Sequence, residues 1–312
     1  MYNGASIVSH RLISMNRLKS IIKHRPETLF YVTVGFLVLS YVLVIAIDVF
    51  NVFDLHTRWT AGGERHYFWK HWFQTPVEIP TQWVCLSVLM VTLFLSAGAA
   101  YQRGHGDEFE FSMLFGIGVS LMLIEDSLNP RHLLRHQLRD QGFANYGTVI
   151  TLTELAYFAL LGGLLVFVFI YFRHVFWKRE KVRKYLIRGY VFYAIAVGSS
   201  WSGPAFRTAS EDFPDLYTVT GRFFTRILFF DGGEREAYFQ SVNEGLERTN
   251  VHLLEYWFMD RVWEESFELL GASALLVAGL AFFFGSTSSE GSEDSDGEGS
   301  DSGGKSRGDR VA

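Results

Sequence analysis

One stretch of this chain, residues 121–140, carries the side chains best suited to chemistry. An apolar segment runs into two adjacent acids, Glu125 and Asp126, and Asn129 and Pro130 then form a typical helix start. Basic side chains follow at helical spacing, namely Arg131, His132, Arg135, His136 and Arg139. We expect one face of this basic helix to fold back over the two acids.

The two acids occupy a position that is costly for negative charge. The apolar run before them, residues 111–124, gives roughly 21 Å of helix, whereas a hydrocarbon layer is about 30 Å thick. If this segment spans a membrane, Glu125 and Asp126 lie inside it, at the helix end where the macrodipole disfavours anions. Acids in such places usually mark a site, a pathway or a charged partner.

Further acids are predicted at the same membrane level. Glu154 lies early in the fourth apolar block, and Glu264, Glu265 and Glu268 open the last one. Glu264 and Glu265 are also explained by the preference of acids for helix N-termini. Glu268 shares a helix face with small residues, which predicts that it points into a helix bundle. Those face-sharing residues are Gly271, Ala272, Leu275, Ala278 and Gly279.

The leading interpretation of these residues is a structural ion-pair network near the outer leaflet. In it, Arg131 or Arg135 neutralises Glu125 and Asp126, and the protein has a binding or envelope-associated role. The predicted polar cluster comprises Glu125, Asp126, Arg131, His132, Arg135, Glu154, Glu264, Glu265 and Glu268.

A second interpretation is a membrane-embedded, metal-dependent hydrolase. His132 and His136, four residues apart, would bind a divalent metal together with Asp126, Glu154 or Glu268, and the metal would activate water. The pair lacks the intervening glutamate of the helical metalloprotease motif, which makes the pattern weak.

The third interpretation is a proton- or cation-coupled transporter in which the acids relay protons or bind a cation. Transporter sites usually lie near the membrane midplane, whereas these acids lie nearer one surface. The sequence leaves all three functions open, and with them the question of whether the protein is an enzyme.

The fold predicted from apolar blocks is an all-α integral membrane bundle of about six helices. Interfacial helices are expected in its outer loops, one of them in the mixed apolar and basic stretch at 216–230. A basic segment, 1–27, precedes the bundle, and a disordered acidic tail, 286–312, follows it. The predicted spans are 28–50, 81–101, 109–128, 148–172, 186–203 and 262–285.

Charge and cysteine content indicate the membrane topology, the possible crosslinks and the partners of the chain. The basic N-terminal segment and the basic loop after the fourth span predict that both termini are cytoplasmic, in a cell membrane. The single cysteine, Cys85, excludes a disulfide within one chain. Since the net charge of -5 partly reflects the acidic tail, no nucleic-acid partner is expected, and the predicted partner is the lipid bilayer.

Overall fold

A computed structural model of the protein describes five continuous ranges of the chain. They are residues 23–60, 68–128, 146–209, 216–229 and 254–288, with the isolated positions Ser20, Pro130, Leu133, Leu134, Gln137, Asp140 and Gln240. Within them the backbone is helical apart from short turns, and no strand occurs. The predicted all-α class is therefore confirmed for this part of the chain. Most of the predicted basic segment and acidic tail lies outside it.

The α-helices are numbered here in chain order. They are α1 (Glu27–Val44), α2 (Leu55–Thr60), α3 (Phe68–Trp72), α4 (Trp83–Gln102), α5 (Gly106–Leu128), α6 (Tyr146–Tyr171), α7 (Arg173–Phe176), α8 (Glu180–Ala209), α9 (Leu216–Phe229), α10 (Leu254–Phe258) and α11 (Glu264–Ser288). A 3-10 turn, Val52–Asp54, precedes α2.

Three π-helical segments extend these helices. Ile45–Val49 continues α1, Phe73–Gln82 leads into α4, and Met259–Trp263 joins α10 to α11. A π turn holds more residues than an α turn and so rotates the side chains that follow it. Such turns occur frequently at functional sites.

The second apolar helix begins earlier than the sequence predicted. Its expected start was residue 81, but the helical backbone begins at the π segment Phe73–Gln82. Pro76 and Pro80 interrupt the sequence pattern, because proline lacks the N–H that an α-helical turn requires. Phe73 and Val77 are nevertheless fully buried, so tertiary packing holds this segment in helical form.

Four of the described helical segments are long and apolar enough to cross a membrane, and they mark the chain as a membrane protein. They are Glu27–Val49, Phe73–Gln102, Gly106–Leu128 and Met259–Gly285. Two further helices overlap the remaining predicted spans: α6 covers 148–171 of the span 148–172, and α8 covers the span 186–203. The structure thus supports four of the six predicted spans directly.

The central element is α11. Its residues 271–280 are all buried, although neighbouring helices of the bundle each expose an apolar stripe. Small residues on α11 and its neighbours let the helices approach closely. A Cβ on Gly189 would clash with the Leu275 side chain, and a Cβ on Gly279 would lie 2.6 Å from Leu89 Cδ1.

The exposed surface of α4 illustrates how the bundle meets lipid. Val84, Val88, Val91 and Leu95 are all exposed, and their spacing places them on one face of the helix. An exposed apolar stripe on a long helix is the expected surface of a membrane-spanning segment.

Two polar side chains after α1 anchor the surface helices. Asn51 Oδ1 accepts the backbone N–H of His56 at 2.9 Å and so caps α2. Asp48, only 6% exposed, accepts the backbone N–H groups of Phe68 at 3.1 Å and Trp69 at 2.8 Å. Its Oδ1 also lies 3.0 Å from His56 Nδ1. The acid at position 48 therefore fastens α3 to the end of α1.

Candidate functional site

A group of acidic side chains meets at one end of the bundle, where α5 ends and where α4 and α11 begin. We call Glu78, Asp126, Glu265 and Glu268 the carboxyl cluster. They come from the π segment before α4, the last turn of α5 and the first turns of α11. Glu265 is 7% exposed, and the other three are partly buried.

Gln82 lies at the centre of this cluster and is 1% exposed. Its Nε2 donates to Asp126 Oδ2 at 3.0 Å and to Glu268 Oε2 at 2.9 Å. A primary amide has two N–H donors, so one nitrogen serves both carboxylates. The two acids are therefore held together by a neutral donor.

Glu78 and Glu265 bring two further acids into the cluster. Their carboxyl groups lie close enough to each other for their charges to interact. Arg261, whose Nε lies 3.1 Å from Asp260 Oδ2, is also close enough to attract the charge of Glu78.

Tyr193 of α8 closes the cluster on a third side. Its hydroxyl is buried close to Glu268 and Asp126. The ring packs on α11 at Gly271, where a Cβ would lie 2.6 Å from Tyr193 Cδ2. The missing side chain at position 271 thus admits the Tyr193 ring to the site.

Several polar atoms here are buried and make no hydrogen bond of good geometry within the described residues. Each such atom costs about 1–3 kcal/mol when it is removed from water without a partner. They are Gln82 Oε1, Glu265 Oε2, the Tyr193 hydroxyl and Nε1 of Trp83, whose indole neighbours Asp126. Buried polar atoms without a partner call for an explanation, such as a bound water, an ion or a role in chemistry.

Two flanking acids are each bound by a tyrosine. The Tyr157 hydroxyl of α6 donates to Glu125 Oε2 at 2.6 Å, and the Tyr217 hydroxyl of α9 donates to Glu264 Oε2 at 2.6 Å. Glu125 and Asp126 therefore bind different neighbours, as expected for adjacent residues about 100° apart around a helix.

Tyr217 lies outside the membrane-spanning segments, on α9, and is 2% exposed. Burial, and then the neighbouring Glu264 carboxylate, raise the pKa of Tyr217 well above its ordinary value. The phenol accordingly stays neutral and remains a hydrogen-bond donor to Glu264.

The structure brings together part of the predicted polar cluster. Asp126, Glu265 and Glu268 meet at the site, and Glu125 and Glu264 flank it. The acids of α11 do not open a helix, because the π segment Met259–Trp263 precedes them. Preference for a helix N-terminus therefore does not explain Glu264 and Glu265.

The remaining predicted residues are not described in the same detail. Glu154 lies on α6, but its side chain lies outside the described part of the structure. Four others lie outside the described residues altogether, namely Arg131, His132, Arg135 and His136. The ion-pair network and the His132/His136 metal pair therefore stay predictions. Among the residues that the structure does describe, no three His, Cys, Asp or Glu side chains are arranged to hold a metal ion.

Sequence reasoning missed three central residues, Glu78, Gln82 and Tyr193. Glu78 and Gln82 are four positions apart, which is the spacing of one helix face, but only Gln82 fell inside the predicted span 81–101 and Glu78 was assigned to the loop before it. Tyr193 lies in an apolar run, and nothing in its spacing set it apart. The i, i+4 spacing of Glu78 and Gln82 is the signal that could have found two of them.

No known protein family matches the chain, and neither a curated protein nor a solved structure is significantly similar to it. Function must therefore be argued from the site itself. The arrangement offers clustered carboxyl groups, neutral donors and unsatisfied oxygens among apolar helices. That chemistry suits the uptake and release of protons.

Proposed function

We propose that this protein is a proton-coupled membrane transporter whose carboxyl cluster is the proton-binding site. The observation that carries the proposal is the Gln82 bridge. One neutral amide nitrogen holds Asp126 and Glu268, which come from two apolar helices.

Electrostatics favours proton binding at this position. Asp126 Oδ2 and Glu268 Oε2 bond to the same nitrogen, so they are at most ~6 Å apart. At that separation two full charges repel by about 3 kcal/mol at an effective dielectric constant of about 20. Glu265 adds a third acid close to Glu268, and Glu78 adds a fourth. The cluster therefore binds protons, and the number of protons bound depends on the environment of the carboxyl groups.

The placement of the cluster couples protonation to helix packing. Asp126 belongs to α5 and Glu268 to α11, while Gln82 ends a π segment. Adding or removing a proton changes the strength of the Gln82 bridge and hence the attraction between these helices. Intramembrane acids with this property are typical of proton relays in pumps and transporters.

The proposed topology has six spans in a cell membrane with both termini cytoplasmic. It adds α6 and α8 to the four apolar segments, because both helices are long enough to cross. Basic residues gather at the end of the bundle that holds the start of α1 and the connection between α6 and α8. Positive charge favours the cytoplasmic side, which places the carboxyl cluster toward the outer leaflet.

The test is a proton-flux assay in liposomes. The purified protein is reconstituted with a trapped pH-sensitive dye, and a potassium diffusion potential drives proton movement. We expect flux above that of empty liposomes, and we expect Glu268→Gln and Asp126→Asn to lower it by about tenfold or more. Asp107→Asn is the matched control, since Asp107 lies at the opposite end and its side chain is 73% exposed.

Folding must be separated from activity in this assay. Glu268→Asp keeps the carboxyl group and should retain more flux than Glu268→Gln at equal protein incorporation. Absence of wild-type flux, or equal flux in the wild type and Glu268→Gln, would contradict a proton-transport role. Loss of folding in both Glu268 variants without any wild-type flux would favour the structural network.

A further inference from the structure

A cleft lies at the opposite end of the bundle from the carboxyl cluster. It has a volume of about 430 Å³, which is within the usual range for ligand sites of roughly 300–1,000 Å³. It opens between the start of α1, the start of α8 and the end of α11. The residues lining it include Lys23, His24, Arg179, Lys181, Ala281 and Phe284.

The cleft combines basic side chains with an apolar wall. Lys23, Arg179 and Lys181 outnumber the one lining carboxylate, Glu180. Ala281 and Phe284 of α11 supply the apolar part, at the level where the membrane-spanning segment Met259–Gly285 ends. Positive charge beside an apolar helix surface at a membrane boundary matches the two parts of an anionic phospholipid.

The pairing of these basic groups leaves room for an anionic ligand. Lys181 Nζ lies 3.2 Å from Glu27 Oε1, and the Lys181 side chain is 56% exposed. Such exposed pairs contribute about 0–1 kcal/mol, so a phosphate can replace the carboxylate without large loss. Lys23 is exposed and has no ion pair among the described residues.

Arg179 forms a fixed wall of the cleft. Its guanidinium pairs with Glu108 of α5 and lies 4.4 Å from the centroid of the buried Phe282 ring. These contacts hold the cation in place between α5 and α11 before any ligand arrives. A side chain that is already held in position lowers the ordering cost of binding.

We propose that this cleft binds the phosphate-bearing headgroup of an anionic membrane lipid. The headgroup phosphate contacts Lys23 and Lys181, and the first part of an acyl chain lies against Ala281 and Phe284. The site is independent of the carboxyl cluster, and it requires only that the bundle spans a membrane.

The test uses the full-length protein in detergent, titrated with phosphatidylglycerol and followed by native mass spectrometry. We expect one tightly retained lipid and a tenfold to thirtyfold weaker affinity, to order of magnitude, in the double variant Lys23→Ala/Lys181→Ala. The matched control is Lys178→Ala/Lys184→Ala. It removes the same charge from exposed residues at the same end that do not line the cleft.

Two further titrations distinguish a lipid headgroup from free phosphate as the bound anion. Phosphatidylcholine should bind more weakly, and millimolar inorganic phosphate should not displace the retained lipid. Equal losses in the two double variants would overturn the site in favour of diffuse surface charge. Complete displacement by inorganic phosphate would overturn the lipid assignment and identify a soluble phosphate as the ligand.

Discussion

Gln82 and Glu268 are 186 residues apart in the sequence and are joined by a 2.9 Å hydrogen bond. The same Gln82 nitrogen donates to Asp126, so three membrane helices meet at one amide group. Because Gln82 is almost completely buried, this donor cannot be replaced by bulk water. Gln82 therefore sets the geometry of the carboxyl cluster.

Replacing Gln82 by leucine should destabilise the protein. The substitution leaves Asp126 and Glu268 without their shared donor, and a hydrogen bond to a charged group is worth about 1.5–3 kcal/mol. We expect the free energy of unfolding to fall by about 2–4 kcal/mol. Thermal unfolding in detergent, followed by circular dichroism, measures the change.

The control for this substitution is Gln102→Leu. Gln102 is exposed at the far end of α4, so the same chemical change there should leave stability nearly unaltered. Equal melting temperatures for Gln82→Leu and Gln102→Leu would show that the bridge does not hold the helices together.

The fit of Tyr193 against Gly271 predicts a packing effect. In Gly271→Ala the new Cβ would meet the Tyr193 ring at 2.6 Å, so α8 must shift from α11. Such overpacking typically costs about 1–3 kcal/mol. In Gly98→Ala nothing lies within 4 Å of the new Cβ, which makes it the matched control. Equal unfolding temperatures for the two variants would contradict the close packing of the Tyr193 ring against Gly271.

The hydrogen bond between Tyr217 and Glu264 predicts a dependence on pH. Burial raises the pKa of Tyr217 above its ordinary value of 10.0. Below about pH 10 the phenol is neutral in both the folded and unfolded chains, and the bond stabilises fully. Above that pH the unfolded chain ionises first, so the stability advantage of the wild type over Tyr217→Phe should shrink.

Urea unfolding of the two proteins between pH 7 and pH 11 measures this difference. Tyr101→Phe is the control, because Tyr101 is 73% exposed and its replacement should leave stability unchanged across the range. A wild-type advantage that stays constant or grows above pH 10 would contradict the buried, neutral phenol.

The attachment of α3 by Asp48 predicts a local effect on the backbone. In Asp48→Asn one acceptor oxygen becomes a donor, so the amides of Phe68 and Trp69 cannot both keep their bonds. We expect hydrogen exchange at these two amides to become about fivefold faster, since capping bonds contribute about 1 kcal/mol. Asp54→Asn, at an exposed acid, should leave both rates unchanged.

The sequence predicted the membrane helices well because lipid imposes a simple requirement. A spanning segment must be apolar and about twenty residues long, and its backbone must be satisfied within the helix. The four apolar segments follow from that rule, and so does the position of Asp126 near the end of α5. The helical start at Phe73 did not follow, because Pro76 and Pro80 break the local pattern and only buried Phe73 and Val77 restore it.

The sequence by itself determined that Asp126 and Glu268 lie at one membrane level, because each is a fixed number of residues from the end of an apolar helix. Only the tertiary structure decided that Gln82 bridges them and that Glu125 binds Tyr157 instead. Depth along a helix is a local property of the chain. Rotation about the helix axis, which decides what a side chain contacts, depends on the π segments and on the packing of α8 against α11.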